Sequence, residues 1–190
     1  MSYDVELIDD LNKALNAECY YSALSLALVF PDICGKAEYP QERSTSKRYK
    51  DWYDKHIGEY EQCKNTSMPY LSGEVVYSLR NSLLHQGTPN IDVNKIKDDN
   101  NKIDWFSLVL ESKNPFDIYC DAAGIYNGSV KTYRVNVRRL CLILSDSAKG
   151  YYEANRDKFD FFHFSIIDWD SEVDKMNKLE SGKIRILPSF

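Results

Sequence analysis

Apolar residues recur every three or four positions in the longest segments of this chain, which is the spacing of a helix that buries one face. The strongest pattern follows Asn136, a residue type that caps the first turn of a helix. Its apolar positions are Val137, Leu140, Cys141, Leu144, Ala148, Tyr151 and Tyr152. The spacing therefore predicts a mainly α-helical chain.

The first part of the chain predicts another long helix. Residues 5–30 have apolar positions at helical spacing, and Pro31 should end or bend that helix because proline lacks a backbone N–H. Residues 32–35 are predicted to form a turn with a glycine at its end. A polar loop should then continue to Arg43.

Two further helices are predicted in the middle of the chain. The second helix should begin at Ser44 or Thr45, which are good N-caps, and end near Ile57. The third should begin at Ser72 and stop at Gly87, because glycine commonly follows the last turn of a helix. The helix of the strongest pattern is expected to pack against the first and third helices.

Short β-prone segments interrupt the helical pattern. The runs from Trp105 to Leu110 and from Phe116 to Cys120 predict a small hairpin inserted at about residues 104–121. Another β-prone run, Phe161 to Ile167, lies in a C-terminal extension of about residues 159–190. A length of 190 residues is typical of one domain, so we expect a single helical domain with these additions.

Composition limits the class of protein. The net charge of −5 argues against indiscriminate coating of nucleic acid, so any contact with RNA should be local. The five cysteines are odd in number and lack close pairs, so neither a disulfide framework nor a zinc site is expected, and no metal or cofactor is predicted. The opening residues lack a secretory pattern and the longest apolar run is too short to span a bilayer, so we expect a cytoplasmic protein.

The third predicted helix carries the clearest candidate site. Its sequence SLRNSLLHQG places Arg80 and His85 with four residues between them, and Asn81 directly follows the arginine. Arg156 and His163 form a similar pair with six residues between them, but that pair leaves the last predicted helix and enters an aromatic run, so we treat it as a decoy.

The motif RNSLLH resembles the Arg-His motif of the HEPN superfamily of ribonucleases, in which a polar residue often follows the arginine. The segments FPDICG, RYKDWYDK and YLSGEVVYSLRNSLLHQG also resemble a group of small bacterial HEPN-like proteins, most clearly over residues 1–90. The resemblance implies a HEPN-type helical bundle and a homodimer that brings two Arg-His helices together. It also implies an endoribonuclease in a defence or toxin-antitoxin system, with an antitoxin or another defence component as partner.

The chemistry of RNA cleavage without a metal fits these residue types. A base must take the 2′-hydroxyl proton, an acid must protonate the 5′-oxygen, and donors must stabilise the charged phosphorane. His85 is the candidate base or acid, Arg80 offers a planar set of donors for a phosphate, and Asn81 would orient His85 or bind the phosphate. On a regular helix Arg80 and His85 point about 140° apart, so helix distortion, the long arginine side chain or a second protomer must bring them together.

Two alternatives to catalysis at this site remain open from the sequence, besides a structural dimerisation protein without a ligand. In the first, Arg80 forms a salt bridge with Asp32 or Glu74, and His85 caps the C-terminal end of its helix. In the second, the same helix end belongs to a non-catalytic module that binds RNA, a nucleotide or a protein.

Two local basic stretches are candidates for binding RNA, and each contains a tyrosine that could stack on a base. The first contributes Arg48 and Lys50, and the second contributes Arg134 and Arg138. The alternative interpretation is that both stretches are ordinary solvated surfaces.

Overall fold

The computed structural model describes residues 3–62, 68–110, 121–161 and 168–180. These residues form a mainly helical fold with one small three-stranded sheet, which confirms the predicted class at that level. The chain divides into two compact units, Met1–Phe159 and Asp160–Phe190. The helices of the first unit are α1 (Tyr3–Asn16), α2 (Tyr20–Ala27), α3 (Phe30–Glu38), α4 (Thr45–Tyr53), α5 (Glu59–Glu61), α6 (Gly73–Gln86) and α7 (Val137–Ala154), and α8 (Trp169–Glu180) lies in the second.

The prediction of one helix over residues 5–30 is wrong. The chain leaves helical geometry after α1, where Glu18 has a φ of 56°, and α2 then begins at Tyr20. Pro31 also has a different role, because it lies in the first turn of α3. Backbone N–H groups in a first turn have no partner within the helix, so the missing N–H of proline costs no helical hydrogen bond there. Residues 32–35 are therefore helical and do not form a turn.

The ends of the other three predicted helices are confirmed by their capping bonds. The Ser44 side chain accepts a hydrogen bond from the Lys47 N–H at the start of α4, which continues through a π-helical turn, Asp54–Gly58. Asn136 caps α7 in the same way, accepting from the Arg139 N–H at 2.9 Å. Local polar residues thus set these helix starts, as the sequence indicated.

The sheet differs from the predicted hairpin. Its strands are β1 (Trp105–Val109), β2 (Ala122–Tyr126) and β3 (Val130–Asn136), in the order β1-β3-β2. β1 runs parallel to β3, whereas β2 and β3 form an antiparallel hairpin. The turn of that hairpin contains Asn127 and Gly128, which both have positive φ values, as tight hairpin turns require. The predicted hairpin over 104–121 is therefore misplaced, and its second run, residues 116–120, lies outside the described residues.

Two helix layers position the third predicted helix, α6. α7 packs against α1, α2 and α3, whereas the main contacts of α6 are with α4 and α2. The expected packing of α7 on α6 is thus replaced by packing on α3. Large aromatic side chains fill the space around α4, where Tyr49, Trp52 and Tyr53 are completely buried.

Among the helices in the described ranges, none has both the length and the apolar character needed to cross a lipid bilayer. Two of the cysteines within these ranges, Cys34 and Cys141, are buried, and Cys19 is exposed. Cys63 and Cys120 lie outside the described residues.

Candidate functional site

Hydrogen bonds at both ends of α6 hold the candidate site in place. The Ser72 side chain accepts from the Val75 N–H at 3.4 Å and from the Asn101 side-chain amide at 2.7 Å. At the other end Gly87 has a φ of 68°, and its N–H donates to the Leu83 carbonyl. A glycine reaches this left-handed geometry without steric cost, so α6 stops just after the residues of the motif.

Arg80 forms an ion pair with Asp32 of α3. Its Nε lies 3.0 Å from Asp32 Oδ2, and its second terminal nitrogen lies 2.8 Å from the same oxygen. Both side chains are mostly buried, with 18 % and 17 % of their surfaces exposed. Burial raises the pKa of the Asp32 carboxyl, and the positive charge of Arg80 opposes that rise. The pair therefore ties the motif helix to the first turn of α3.

The same guanidinium also reaches both polar neighbours in the motif. One terminal nitrogen, Nη1, donates to Asn81 Oδ1 at 3.0 Å and lies 2.9 Å from His85 Nε2. A guanidinium has donors only, so His85 Nε2 accepts this bond and carries no proton in this arrangement. His85 is exposed, so its ring can be reached from solvent.

A single chain brings the three motif residues together. Arg80 and His85 leave the helix in different directions, but the length of the arginine side chain spans the gap. Neither a helix distortion nor a second protomer is required for this contact. The predicted homodimer thus loses its geometric argument, although the family resemblance still implies it.

The structure contains parts of two of the interpretations drawn from the sequence. The ion pair with Asp32 is the one that the structural interpretation of Arg80 predicted, and the Arg80–His85 contact brings together the two side chains named in the catalytic interpretation. Glu74, the other carboxylate considered, lies beside Lys50 at 3.7 Å and accepts from the Lys97 N–H at 2.8 Å. Asp32 is therefore the acidic partner of the site, and Glu74 is not.

Two tyrosines that the sequence analysis did not select support the arginine. Tyr77 lies one helical turn before Arg80, and the centre of the guanidinium is 6.0 Å from its ring centroid. Tyr49 of α4 contacts the Tyr77 ring, with 5.1 Å between centroids. Burial raises the pKa of Tyr49 well above its usual value, and the charge of Asp32 adds to that rise. The signal available in the sequence was the i, i+3 spacing of Tyr77 and Arg80.

Most of the proposed RNA-binding cations already have contacts within the chain. The Arg48 guanidinium donates to the Glu42 carbonyl and, at 3.4 Å, to the Thr45 hydroxyl. Arg138 donates to the Leu15 carbonyl at 3.1 Å. Of the four residues selected from the sequence, Arg134 is the exposed one, and it lies on β3.

The second Arg-His match has no described geometry as a site. Arg156 lies near the Tyr152 ring, with 6.0 Å between the guanidinium carbon and the ring centroid. His163 lies outside the described residues. Of the two Arg-His pairs, the one on α6 is thus the pair whose two side chains are both described.

Comparison of the chain with protein-family models, with curated proteins and with solved structures finds no match. The contacts around Arg80 and His85 therefore carry the functional argument.

Proposed function

We propose that this chain is a metal-independent endoribonuclease of the HEPN type, with its active site at the C-terminal half of α6. The observation that carries the proposal is the 2.9 Å contact between the Arg80 guanidinium and the unprotonated Nε2 of an exposed His85. This contact supports the proposal because a general base and the phosphate donors must both reach one reacting group.

The reaction would proceed by attack of the RNA on itself. A phosphate of the RNA takes the Arg80 Nη1 donor from His85, which frees the single lone pair of Nε2 to accept the proton of a 2′-hydroxyl. The 2′-oxygen then attacks the neighbouring phosphorus. The bond from phosphorus to the 5′-oxygen breaks, leaving a 2′,3′-cyclic phosphate and, after protonation, a free 5′-hydroxyl. Arg80 stabilises the additional negative charge on the phosphorane oxygens, and Asn81 holds the guanidinium in position.

The leaving 5′-oxygen needs a proton, and we propose that a homodimer provides it. In a dimer with two Arg-His helices at a common cleft, the protonated His85 of the second protomer serves as the acid. Sedimentation of the purified chain should then give twice its mass of 22.1 kDa. A monomer at the concentrations used for activity would contradict this part of the proposal.

The direct test is cleavage of a single-stranded RNA by the purified chain in the presence of a chelator. We expect His85→Ala to reduce the rate by about 10²–10⁴-fold, since general acid-base catalysis contributes that much. Gln86→Ala is the matched control, because it removes the neighbouring exposed side chain of the same turn. Unchanged cleavage by His85→Ala, or products without a cyclic phosphate, would contradict the mechanism.

A non-catalytic binding module is the second candidate, and one observation favours it. Asp32 pairs with the Arg80 guanidinium and neutralises part of the charge that a phosphate would need. This candidate predicts that the chain retains RNA, a nucleotide or a protein without turnover, and that His85→Ala leaves binding unchanged.

If the chain is a ribonuclease, we propose a role in bacterial defence or in a toxin-antitoxin system, in line with the family resemblance.

A further inference from the structure

The outer face of the three-stranded sheet contains a groove of about 390 Å³. Its floor consists of small side chains from all three strands, including Ser107, Ala122, Gly124 and Thr132. Trp105 lies across the sheet from Tyr126, and both line the groove. The groove is thus a shallow space between aromatic side chains, with small residues between them.

Strand register explains why the middle of the groove is open. Trp105 and Gly124 both pair with Thr132, so these residues form one row across the sheet. A Cβ atom at Gly124 would lie only 3.0 Å from the Thr132 hydroxyl oxygen and 3.8 Å from the Tyr126 ring. Glycine at this position therefore keeps the middle of the groove open.

The two aromatic side chains have large exposed surfaces, 69 % for Trp105 and 65 % for Tyr126. The next row of the sheet places Arg134 between Ser107 and Ala122 on the same face. Arg134 is exposed, and within the described ranges no hydrogen bond or ion pair engages its guanidinium. Two stacking surfaces and one available cation therefore share one face.

We propose that this sheet face binds a single-stranded segment of the RNA substrate. Bases stack on Trp105 and Tyr126, whose rings accept any base, and Arg134 binds a backbone phosphate. The positive charge of Arg134 complements the strand locally, although the chain as a whole is acidic. The choice of RNA as the ligand rests on the proposed function, whereas the stacking geometry does not.

The groove and the Arg80 site lie toward opposite ends of α6. Tyr133, on the inner face of β3, lies within hydrogen-bond reach of the Leu71 backbone, just before α6 begins. α6 has 14 residues, which corresponds to a length of about 20 Å. The sheet face and the Arg80 site are therefore separate, and each can be altered without changing the residues of the other.

The test measures binding without cleavage, in the His85→Ala background. The probe is a fluorescein-labelled oligouridine of about 12 nucleotides, a length within the range of single-strand binding sites. Trp105→Ala and Tyr126→Ala should each weaken binding about tenfold, and Trp105→Phe should restore most of the loss. Arg134→Gln should weaken binding less and should lower the salt dependence by about one phosphate contact.

Matched controls exist elsewhere on the chain. Trp169 is 68 % exposed on α8, and Tyr60 is 78 % exposed on α5. Alanine at either position should leave oligouridine binding unchanged. Circular dichroism of every variant checks that the fold is retained, so a loss of binding can be assigned to the groove.

Several outcomes would overturn the proposal. If the groove variants bind oligouridine as tightly as the control variants do, the proposed site is wrong. Equal binding of a duplex would contradict stacking on unpaired bases, and competition by uridine monophosphate at the same concentration as the strand would make the ligand a free nucleotide. If the wild-type chain cleaves no RNA but the groove variants lose binding, the proposed function is wrong and the groove proposal is retained. If His85-dependent cleavage keeps the same KM in the groove variants, the groove fails and the function stands.

Discussion

Arg80 distributes its donors among three side chains, and this sharing sets what a phosphate must displace. Nε and one terminal nitrogen face Asp32, and the other terminal nitrogen faces Asn81 and His85. A bound phosphate would compete first for the nitrogen that faces His85, since the two bonds to Asp32 hold the rest of the guanidinium. Asp32 therefore acts as a positioning residue for Arg80.

Asp32→Asn tests that role. The change keeps the shape of the side chain but leaves the mostly buried Arg80 without its negative partner. We expect the free energy of unfolding to fall by about 1–3 kcal/mol. In RNA cleavage, kcat should fall by a larger factor than the factor by which KM changes. Urea unfolding and steady-state kinetics measure the two effects.

The control for that experiment is Asp51→Asn, which removes a partner of Lys47 in an exposed pair. Exposed pairs contribute little to stability, so this variant should resemble the wild type. Equal stability of the Asp32 and Asp51 variants would show that the Arg80 pair has no special structural role.

His56 predicts a pH dependence of stability. Its ring contacts those of Trp52 and Tyr151, with centroid distances of 5.0 and 5.1 Å. Burial lowers the pKa of His56, and the charge of Lys55 lowers it further. The unfolded chain therefore binds a proton first, at about pH 6.5, and stability falls as the pH decreases through that value toward the folded pKa.

The measurement is urea unfolding between pH 7.5 and pH 5. His56→Phe should flatten the decline, because it removes the imidazole and keeps an aromatic ring in its place. The neighbouring carboxyl group of Glu38 does not titrate in this pH range. Burial raises the pKa of Glu38, but hydrogen bonds from Lys55 and Tyr151 outweigh that effect and lower it to about 2. The same slope in the His56→Phe variant would contradict this assignment.

At the scale of elements, the ends of α6 decide where the motif lies. Gly87 ends the helix in left-handed geometry, directly after the turn that contains His85. Any other residue there must adopt a backbone conformation that its Cβ disfavours. The position of the helix end is thus a local property of the sequence.

Gly87→Ala should lower the free energy of unfolding by about 1 kcal/mol, because of that backbone strain. Gly150→Ala is the matched control, since Gly150 lies within α7 and a Cβ there would meet nothing within 4 Å. Alanine favours helices over glycine, so this control should raise stability by roughly 0.5–1 kcal/mol. Thermal unfolding gives the sign of both changes, and two changes of the same sign would contradict the argument.

Elements with local determinants were predicted well, and the others were not. Ser44, Ser72 and Asn136 are polar residues whose capping bonds close within three positions along the chain. The break near Glu18 and the parallel pairing of β1 with β3 depend on contacts that sequence periodicity does not encode. The Asn127-Gly128 turn was a usable signal that the sequence analysis overlooked.

At the scale of the whole molecule, the core of the described residues ends at Phe159. This side chain is 7 % exposed and packs its ring on Tyr151 and Tyr152, with centroid distances of 5.9 and 4.9 Å. No buried apolar side chain follows it within the described residues. The first unit, Met1–Phe159, therefore contains a core of its own.

A chain of residues 1–161 should unfold cooperatively, because it retains every buried apolar side chain of the described residues. Shortening it further to residues 1–155 removes Phe159 and should cost about 3 kcal/mol, the scale of losing a buried phenylalanine. Circular dichroism during thermal unfolding compares the three lengths. Loss of the cooperative transition in the 1–161 chain would show that the first unit needs the rest of the sequence.

The sequence by itself determined the helical class, the caps of α4, α6 and α7, and the placement of Arg80, Asn81 and His85 on one helix. Those features follow from spacing and from hydrogen bonds between residues a few positions apart. Only the tertiary structure decided that Asp32 is the partner of Arg80, that one chain joins Arg80 to His85, and that Trp105 and Tyr126 share an exposed sheet face. These features depend on packing between distant segments and on the reach of side chains, and neither has a local pattern in the sequence.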